Sequence, residues 1–457
     1  MHLDGGVTLA PGDHRHVVET AKEDPPMTAS ANLPRETAFA VDTSAITFGS
    51  GATREVGAAV AGFGAKRVLV VTDPRLAKGE TVGIVLDALG ASGIEPEVFD
   101  RVRVEPTDAS FGEAIAVATA GRFDGYVAVG GGSAIDTAKA ANLYATYPAD
   151  LLAYVNPPIG EGRPVPGPLK PLVAIPTTAG TGSETTGVAI FDLVARGAKT
   201  GIAHRRLRPS LGIVDPENTR SLPPMVAACA GLDVLCHALE SYTALPYSDR
   251  PAPERPELRP AYQGANPVSD IWAERAIAMA AAFLVRAVTD PADDEARAQM
   301  LLAATYAGIG FGNAGVHLPH GMSYPVSGLA RGFVPAGYPD DHPIVPHGMS
   351  VILPAPAVFR FTAPADPARH LHAAALLGAD TRGAAPKDAG DLLANQIVSI
   401  MRQTGMPNGL SAVGIGPEDV DRLVAGTVPQ HRVTKLSPRP ASEADLRVLF
   451  LAAMTCW

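Results

Sequence analysis

A chain of 457 residues is too long for one ordinary hydrophobic core, so two or more domains are expected. Its 37 Lys and Arg against 47 Asp and Glu give a net charge of -10. That excludes nucleic acid as the main partner, because phosphate binding favours a basic face, but leaves room for an anionic small molecule held by a local pair of arginines.

The first 35 residues lack the apolar core of a signal peptide. They carry Asp4, Asp13, Glu19, Glu23 and Asp24, whereas transit peptides avoid acids. Residues 1–35 are therefore expected to be a mobile extension, with Met27 as an alternative start. Residues 36–221 read as the first domain, within which residues 46–205 alternate short β-branched runs with alanine-rich helical patterns. Strands are expected at Arg67–Asp73, Glu97–Phe99, Tyr126–Gly130 and Pro171–Pro176, and helices at Thr81–Ser92, Phe111–Ala120 and Ala134–Asn142. This alternation implies a parallel sheet with helices on its faces, followed by a hairpin at Val188–Phe191 and Gly201–Ala203.

After Leu222-Pro223-Pro224 the texture becomes helical, over Met225–Tyr242, Ile271–Val288, Asp294–Gly308, Ala389–Thr404 and Glu443–Met454. Residues 222–457 read as an all-helical second domain, interrupted by proline-rich insertions at Leu245–Pro267 and Leu329–Pro346. Insertions that long in a compact domain are expected to be functional or oligomeric. No apolar run is long enough to span a bilayer. Cys229, Cys236 and Cys456 form no CxxC pair, which fits a reducing compartment: the cytoplasm, or the mitochondrion for a eukaryotic source.

Two stretches of the first half suit a nucleotide. Gly130-Gly131-Gly132-Ser133 joins a strand to a helix, where backbone N–H groups can approach a pyrophosphate; it is equally a tight connection. Asp73 ends a strong strand and can take a ribose hydroxyl, which favours NAD over NADP, or can simply cap a helix. Thr177-Thr178-Ala179-Gly180-Thr181-Gly182-Ser183-Glu184 is a second polar turn at a strand end, or a plain loop.

In the second half, Asp233 and His237 lie one helical turn apart, and two later His-Gly pairs stand at His320-Gly321 and His347-Gly348. One carboxylate and three imidazoles can hold a divalent transition metal and leave a position open for a substrate oxygen. An Asp-x-x-x-His pair also fits a hydrogen-bonded pair or a cap, and spacing alone does not tie residue 233 to residue 347.

Taken in order, GGGSAIDTAK, IPTTAGTGSE, GLDVLCHALE and the two His-Gly motifs make the chain similar to the iron-containing (group III) alcohol dehydrogenases, over roughly residues 45–455. VEPTD (104–108), SETTGVAIFD (183–192), RPAYQGANPVSDIWA (259–273), GIGFGNAGVHLPHGMSYPVSG (308–328), DHPIVPHGMSV (341–351) and HRVTKLSPRP (431–440) resemble the hydroxyacid-oxoacid transhydrogenase branch, as do the two insertions. The resemblance implies an α/β, Rossmann-like nucleotide-binding domain preceding an all-α metal-binding domain, as in the dehydroquinate synthase-like fold. It puts the metal ligands on Asp233, His237, His320 and His347. It puts the pyrophosphate on Gly131, Gly132 and Ser133, with Asp136 just inside the helix. Thr177, Thr178, Thr181 and Thr186 fall at dinucleotide contacts, Lys199 beside the nicotinamide ribose, and Asp73 at the acid that selects NAD. Many family members carry a further His where this chain has Tyr324, which becomes a candidate proton relay.

The resemblance also implies hydride transfer from 4-hydroxybutyrate to 2-oxoglutarate through a tightly held NAD, giving succinate semialdehyde and 2-hydroxyglutarate. Fe(II) is the expected metal, with Zn(II) the alternative, and a homo-oligomer is expected. Both substrates are carboxylates, so Arg250 and Arg259 are the expected substrate contacts, with Lys435 a weaker candidate. The rival reading is a conventional NAD-dependent iron-containing alcohol dehydrogenase that releases NADH. A metal- or nucleotide-binding assembly protein is poorly motivated.

Overall fold

The computed structural model describes residues 34–457 apart from Gly197 and Asp341. Residues 1–33 of the expected extension lie outside the described residues.

The chain begins with β1 (Ala45–Phe48), α1 (Val56–Gly62), β2 (Arg67–Val71), α2 (Glu80–Ala91), β3 (Glu95–Phe99), α3 (Asp108–Gly121), β4 (Gly125–Gly130) and α4 (Gly132–Thr146). It continues through β5 (Leu172–Pro176), a hairpin of β6 (Val188–Leu193) and β7 (Ala198–Ala203), and β8 (Leu211–Val214). Six strands form one parallel sheet in the order β1-β8-β5-β4-β2-β3, and β6 and β7 pair antiparallel apart from it. The central strands are apolar on both faces, as helices on either side require. In β2, Val68 and Val70 join the core under α1 and α2, while Leu69 and Val71 join the core under α3 and α4.

β2 has β3 on one side and β4 on the other, so the chain leaves it in opposite directions. This is a topological switch point, where the carboxyl ends of strands leave a crevice. The turns after β2, β4 and β5 edge that crevice.

The helical part is α5 (Pro224–Thr243), α6 (Pro267–Thr289), α7 (Asp294–Ala314), α8 (Leu318–Gly328), α9 (His347–Ile352), α10 (Ala355–Thr362), α11 (Pro367–Leu376), α12 (Ala389–Gln403), α13 (Val420–Thr427), α14 (His431–Thr434) and α15 (Glu443–Ala452). Proline at the first turn and an Asn266 side-chain cap on the Ser269 amide start α6; Asp293 caps α7 on the Ala296 amide. α5, α6 and α7 pack side by side around one large apolar core. Residues Arg35–Trp457 form a single compact unit.

Two strands and several helices lie beyond those expected from the pattern. β1 and β8 have four residues each, too few to show a period. α8 contains Pro325 and α10 begins behind Pro354; such segments are helical because neighbours bury them, not through propensity.

Candidate active site

Asp233 and His237 stand on the inner face of α5, His320 on the first turn of α8, and His347 at the start of α9. The Nε2 atoms of His237, His320 and His347 lie 3.8, 3.6 and 3.8 Å from Asp233 Oδ1. One ligand atom from each of the four residues falls within 4.8 Å of the other three. The glycine after each later histidine lets a neighbouring helix come close, α5 against α9 and α14 against α8. A Cβ on Gly348 would sit 2.0 Å from the Cys229 carbonyl oxygen on α5, and one on Gly321 would sit 2.5 Å from Thr434 Cγ2 on α14.

Buried Asp233 Oδ1 and His320 Nε2 make no hydrogen bond. A buried carboxylate whose nearest neighbours are imidazoles beyond hydrogen-bond range carries a large desolvation cost unless a cation shares the site. The donor set fits a divalent transition metal held by one oxygen and three nitrogens.

Beneath the cluster, fully buried Glu240 accepts from His320 Nδ1 at 2.6 Å and from the His317 amide at 2.6 Å. That bond turns the His320 Nε2 lone pair toward Asp233, the usual arrangement behind a ligating imidazole. With no metal present, burial opposes a charge on His320, but Glu240 and Asp233 push its pKa up to about 10. His237, whose ring stacks on Phe311 at 3.9 Å, is lowered by burial to about 3. His317, three residues before His320, bonds Thr243 and belongs to the packing.

Two cavities meet at the cluster. The outer, of about 470 Å³, is lined by Asp73, Gly131, Thr177, Thr178 and the second insertion at Gly337–Pro339. The inner, of about 110 Å³, is lined by Tyr262, Phe311, Tyr324 and Arg432 among others. Glu105, Gly132, Ser133, Thr181, Asp233 and His347 line both. Asp73 accepts from the Arg75 and Leu76 amides at 2.8 and 3.0 Å, so it caps a turn and faces the crevice at once.

Other expected residues are placed differently. Asp136 lines the inner cavity, but its oxygens accept from Ser183 Oγ and the Ile190 amide. Thr186 also lines the inner cavity. The Lys199 ammonium sits 2.6 Å from Glu105 and 3.0 Å from Asp192 and lines neither cavity. Burial opposes its charge, yet Glu105 and Asp192 raise its pKa.

Arg250 and Arg259 are not brought to the cavity. Arg259 pairs with Glu36 at 3.0 Å and Arg250 donates to the Gln263 carbonyl, so both fasten the first insertion and the segment beginning at Arg35. Lys435 lines a separate cavity beside α14.

Three residues absent from the expected set shape the site. Glu105 lies in the left-handed region at φ 54°, accepts from the His347 amide at 3.1 Å, and separates the two cavities. Glu240 orients His320. Arg432 enters the inner cavity from α14. Glu105, Glu240 and Arg432 all fall inside the motifs VEPTD, GLDVLCHALE and HRVTKLSPRP, which were the available signal.

A dinucleotide-sized crevice at a switch point, opening onto one carboxylate and three imidazoles, is an arrangement suited to metal-assisted hydride transfer. The profile of iron-containing alcohol dehydrogenases matches residues 43–216, and that of the C-terminal part of the Fe-containing alcohol dehydrogenase family matches residues 261–454. The chain belongs to the iron-containing alcohol dehydrogenase family and is an oxidoreductase acting on CH–OH groups.

It is 56% identical over 419 residues to the mitochondrial hydroxyacid-oxoacid transhydrogenase of Bos taurus, covering 91% of this chain and 90% of that one. It is 53% identical over 451 residues to the Rattus norvegicus protein of the same name, covering 96% and 97%. A solved 1,3-propanediol oxidoreductase superposes with a TM-score of 0.79 at 29% identity, over 91% of this chain and all of that one. An alcohol dehydrogenase from Oenococcus oeni does so at 0.80 and 26%, with the same coverage.

Proposed function

We propose that this protein is a hydroxyacid-oxoacid transhydrogenase that moves a hydride from 4-hydroxybutyrate to 2-oxoglutarate through retained NAD. The observation that carries the proposal is the joining of the two cavities at the Asp233 cluster, so that a nicotinamide in the outer one can face a small substrate in the inner one. The name shared by relatives at 53–56% identity over most of the chain supports the transhydrogenase branch.

When bound, a divalent metal, Fe(II) or Zn(II), supplies Lewis acidity to the substrate oxygen, and NAD supplies a ring that takes and returns a hydride. Asp233, His237, His320 and His347 would hold the metal, with Glu240 fixing the His320 tautomer. Gly131, Gly132 and Ser133 present the start of α4 to the pyrophosphate. Asp73 faces the ribose end, where its charge disfavours a 2′-phosphate and so selects NAD. Glu105 carries the charge of Lys199 to the wall between the cavities. Tyr324, which lines the inner cavity and whose hydroxyl accepts from Arg432 at 3.1 Å, would handle the substrate proton.

In the first half-reaction the hydroxyacid carbon loses a hydride and its oxygen a proton, leaving an aldehyde. In the second the oxoacid carbon receives the hydride and its oxygen a proton. The cofactor ends as it began, so no outside oxidant is needed.

Retention of NAD is supported at the mouth of the outer cavity. There Arg75 Nη1 donates to the Gly337 carbonyl at 3.0 Å, tying the nucleotide part to the second insertion. The relatives named mitochondrial support that compartment for a eukaryotic source rather than the cytoplasm. Among the described residues no helix is long and apolar enough to cross a membrane.

The test uses metal-loaded, desalted protein with 4-hydroxybutyrate and 2-oxoglutarate and no added NAD. Formation of 2-hydroxyglutarate far beyond the enzyme concentration is expected. No product, with free NADH appearing once NAD and an alcohol are supplied, would make the protein a conventional dehydrogenase.

A further inference from the structure

The inner cavity contains one unsatisfied cationic group. Arg432 reaches it from α14, a four-residue helix that packs close to α8 because Gly321 has no side chain. Its Nη2 donates to Tyr324 Oη at 3.1 Å and its guanidinium lies 5.1 Å from the Tyr262 ring centroid. Its Nη1 is buried and has no hydrogen-bond partner. No carboxylate among the described residues forms an ion pair with it. Of the acids lining the same cavity, Glu105 is paired with Lys199, Asp136 is held by Ser183 and Ile190, and Asp233 belongs to the histidine cluster. Arg432 is also the one lysine or arginine among the described lining residues.

A buried guanidinium with a free edge is costly unless an anion completes it, and its planar fork matches a carboxylate. Val188, Ile190, Phe311 and Val316 give the cavity an apolar stretch of wall that suits methylene groups. The volume of about 110 Å³ is well below the roughly 300–1,000 Å³ of drug-sized sites, so only a short acid fits.

We infer that Arg432 is the substrate-carboxylate clamp of the inner cavity, with Tyr324 and Tyr262 setting its plane. It recognises short acids that carry a carboxylate two methylenes from the reacting carbon. This rests on the proposed reaction and explains how one pocket could serve both halves. In 4-hydroxybutyrate, two methylenes separate the hydroxyl carbon from the carboxylate. In 2-oxoglutarate, two methylenes separate the keto carbon from the distal carboxylate. One arginine at a fixed distance from the metal cluster reads both, and the second carboxylate of 2-oxoglutarate stays at the cluster end. Lys435 lies close enough to Arg432 to add positive potential behind it without lining the cavity.

The experiment compares reduction of succinate semialdehyde with butanal, its neutral analogue, with NADH supplied so that either cofactor mode gives turnover. Arg432→Gln should lower the acid-to-neutral ratio of kcat/KM by about 10–100-fold, mainly through KM for the acid. Arg432→Lys keeps the charge, loses the fork and should fall between. If the Gln variant does not fold, the Lys variant still carries the test.

A second pair locates the clamp. Wild type should favour 2-oxoglutarate over 2-oxopentanoate, which lacks the distal carboxylate, and Arg432→Gln should erase that preference. Equal losses for acid and neutral aldehyde, or for both oxoacids, would overturn the assignment. The two readings fail separately. Free NADH release with a responsive Arg432 sinks retention alone. Turnover without added NAD and an indifferent Arg432 sinks the clamp alone.

Discussion

At the sheet end of the crevice the outer cavity is edged by turns: Gly131 to Ser133 after β4, Thr177 and Thr178 after β5, and Asp73 after β2. Each group comes from a few consecutive residues whose local conformation already points it outward. At the helical end the donors come from α5, α8, α9 and α14, separated by up to 199 positions from Asp233 to Arg432, and only tertiary packing brings them together. The first kind of site is built largely of backbone and tolerates single side-chain changes. The second depends on each buried side chain, because each leaves a charge or lone pair without water when its partner goes.

The sharpest way to break this contrast is at Asp233. Asp233→Asn should lower kcat/KM on the order of a thousandfold while the outer cavity still binds NAD, read by quenching or transfer of nicotinamide fluorescence. Treatment with a chelator should reproduce the loss, and added metal should reverse it only in the wild type. Loss of NAD binding in the variant would show that the two ends are not separable. The same centre has a defined pH response. In the metal-free protein Glu240 and Asp233, against the opposing effect of burial, raise the His320 pKa to about 10, so below that value a proton occupies the nitrogen a metal needs. Apparent metal affinity should therefore rise about tenfold per pH unit across the neutral range and level off above about 10, measured by metal titration of the apoprotein.

Glu240→Gln ranks next. The amide can still accept from the His317 amide, but it no longer carries the charge that holds the His320 tautomer. Measured above about pH 10, where proton competition at His320 no longer enters, metal affinity should fall about 10–100-fold, with a smaller loss of activity at saturating metal; nearer neutrality the lowered His320 pKa of the variant offsets part of that fall. An unchanged affinity would mean that packing alone orients His320.

How much was legible depends on the same division. The candidate metal-holding residues show in the sequence because a helical i, i+4 pair and two His-Gly steps are local signatures that the family resemblance ties together, and the structure gathers all four; the glycines let α9 approach α5 and α14 approach α8. The parallel sheet shows because Val68 to Val71 and Tyr126 to Gly130 are continuous apolar runs. Arg432 does not show as a substrate contact. It sits on a four-residue helix with no period, and nothing local marks it from Lys435 or His431. Arg250 and Arg259 looked better placed because they closely follow α5, with its Asp233 and His237, in sequence. The fold instead lays that insertion along residues 35–42, where Glu36 takes Arg259 and Gln263 holds Ala40. Glu105 is hidden for a related reason: its partners Lys199 and His347 lie 94 and 242 positions away.

The smallest expected effect is at the rim between the two ends. Arg75 is exposed, and its single bond to the Gly337 carbonyl crosses from the turn after β2 to the second insertion. On the other side, the tip of that insertion rests on Pro223 at the start of α5, with Gly337 at φ 86°. The insertion thus bridges the turn after β2 and the start of α5 beside the outer cavity. A single exposed hydrogen bond contributes about 0.5–1.5 kcal/mol, so Arg75→Ala should speed NADH release by roughly 2–10-fold and leave the Arg432-dependent acid preference intact. Stopped-flow chase of bound NADH measures the first, and the succinate semialdehyde to butanal ratio the second. Faster release with unchanged half-reaction rates would place retention in the bridge. If release is unaffected, the bridge does not hold the cofactor, and retention would have to come from the turns of the sheet end themselves.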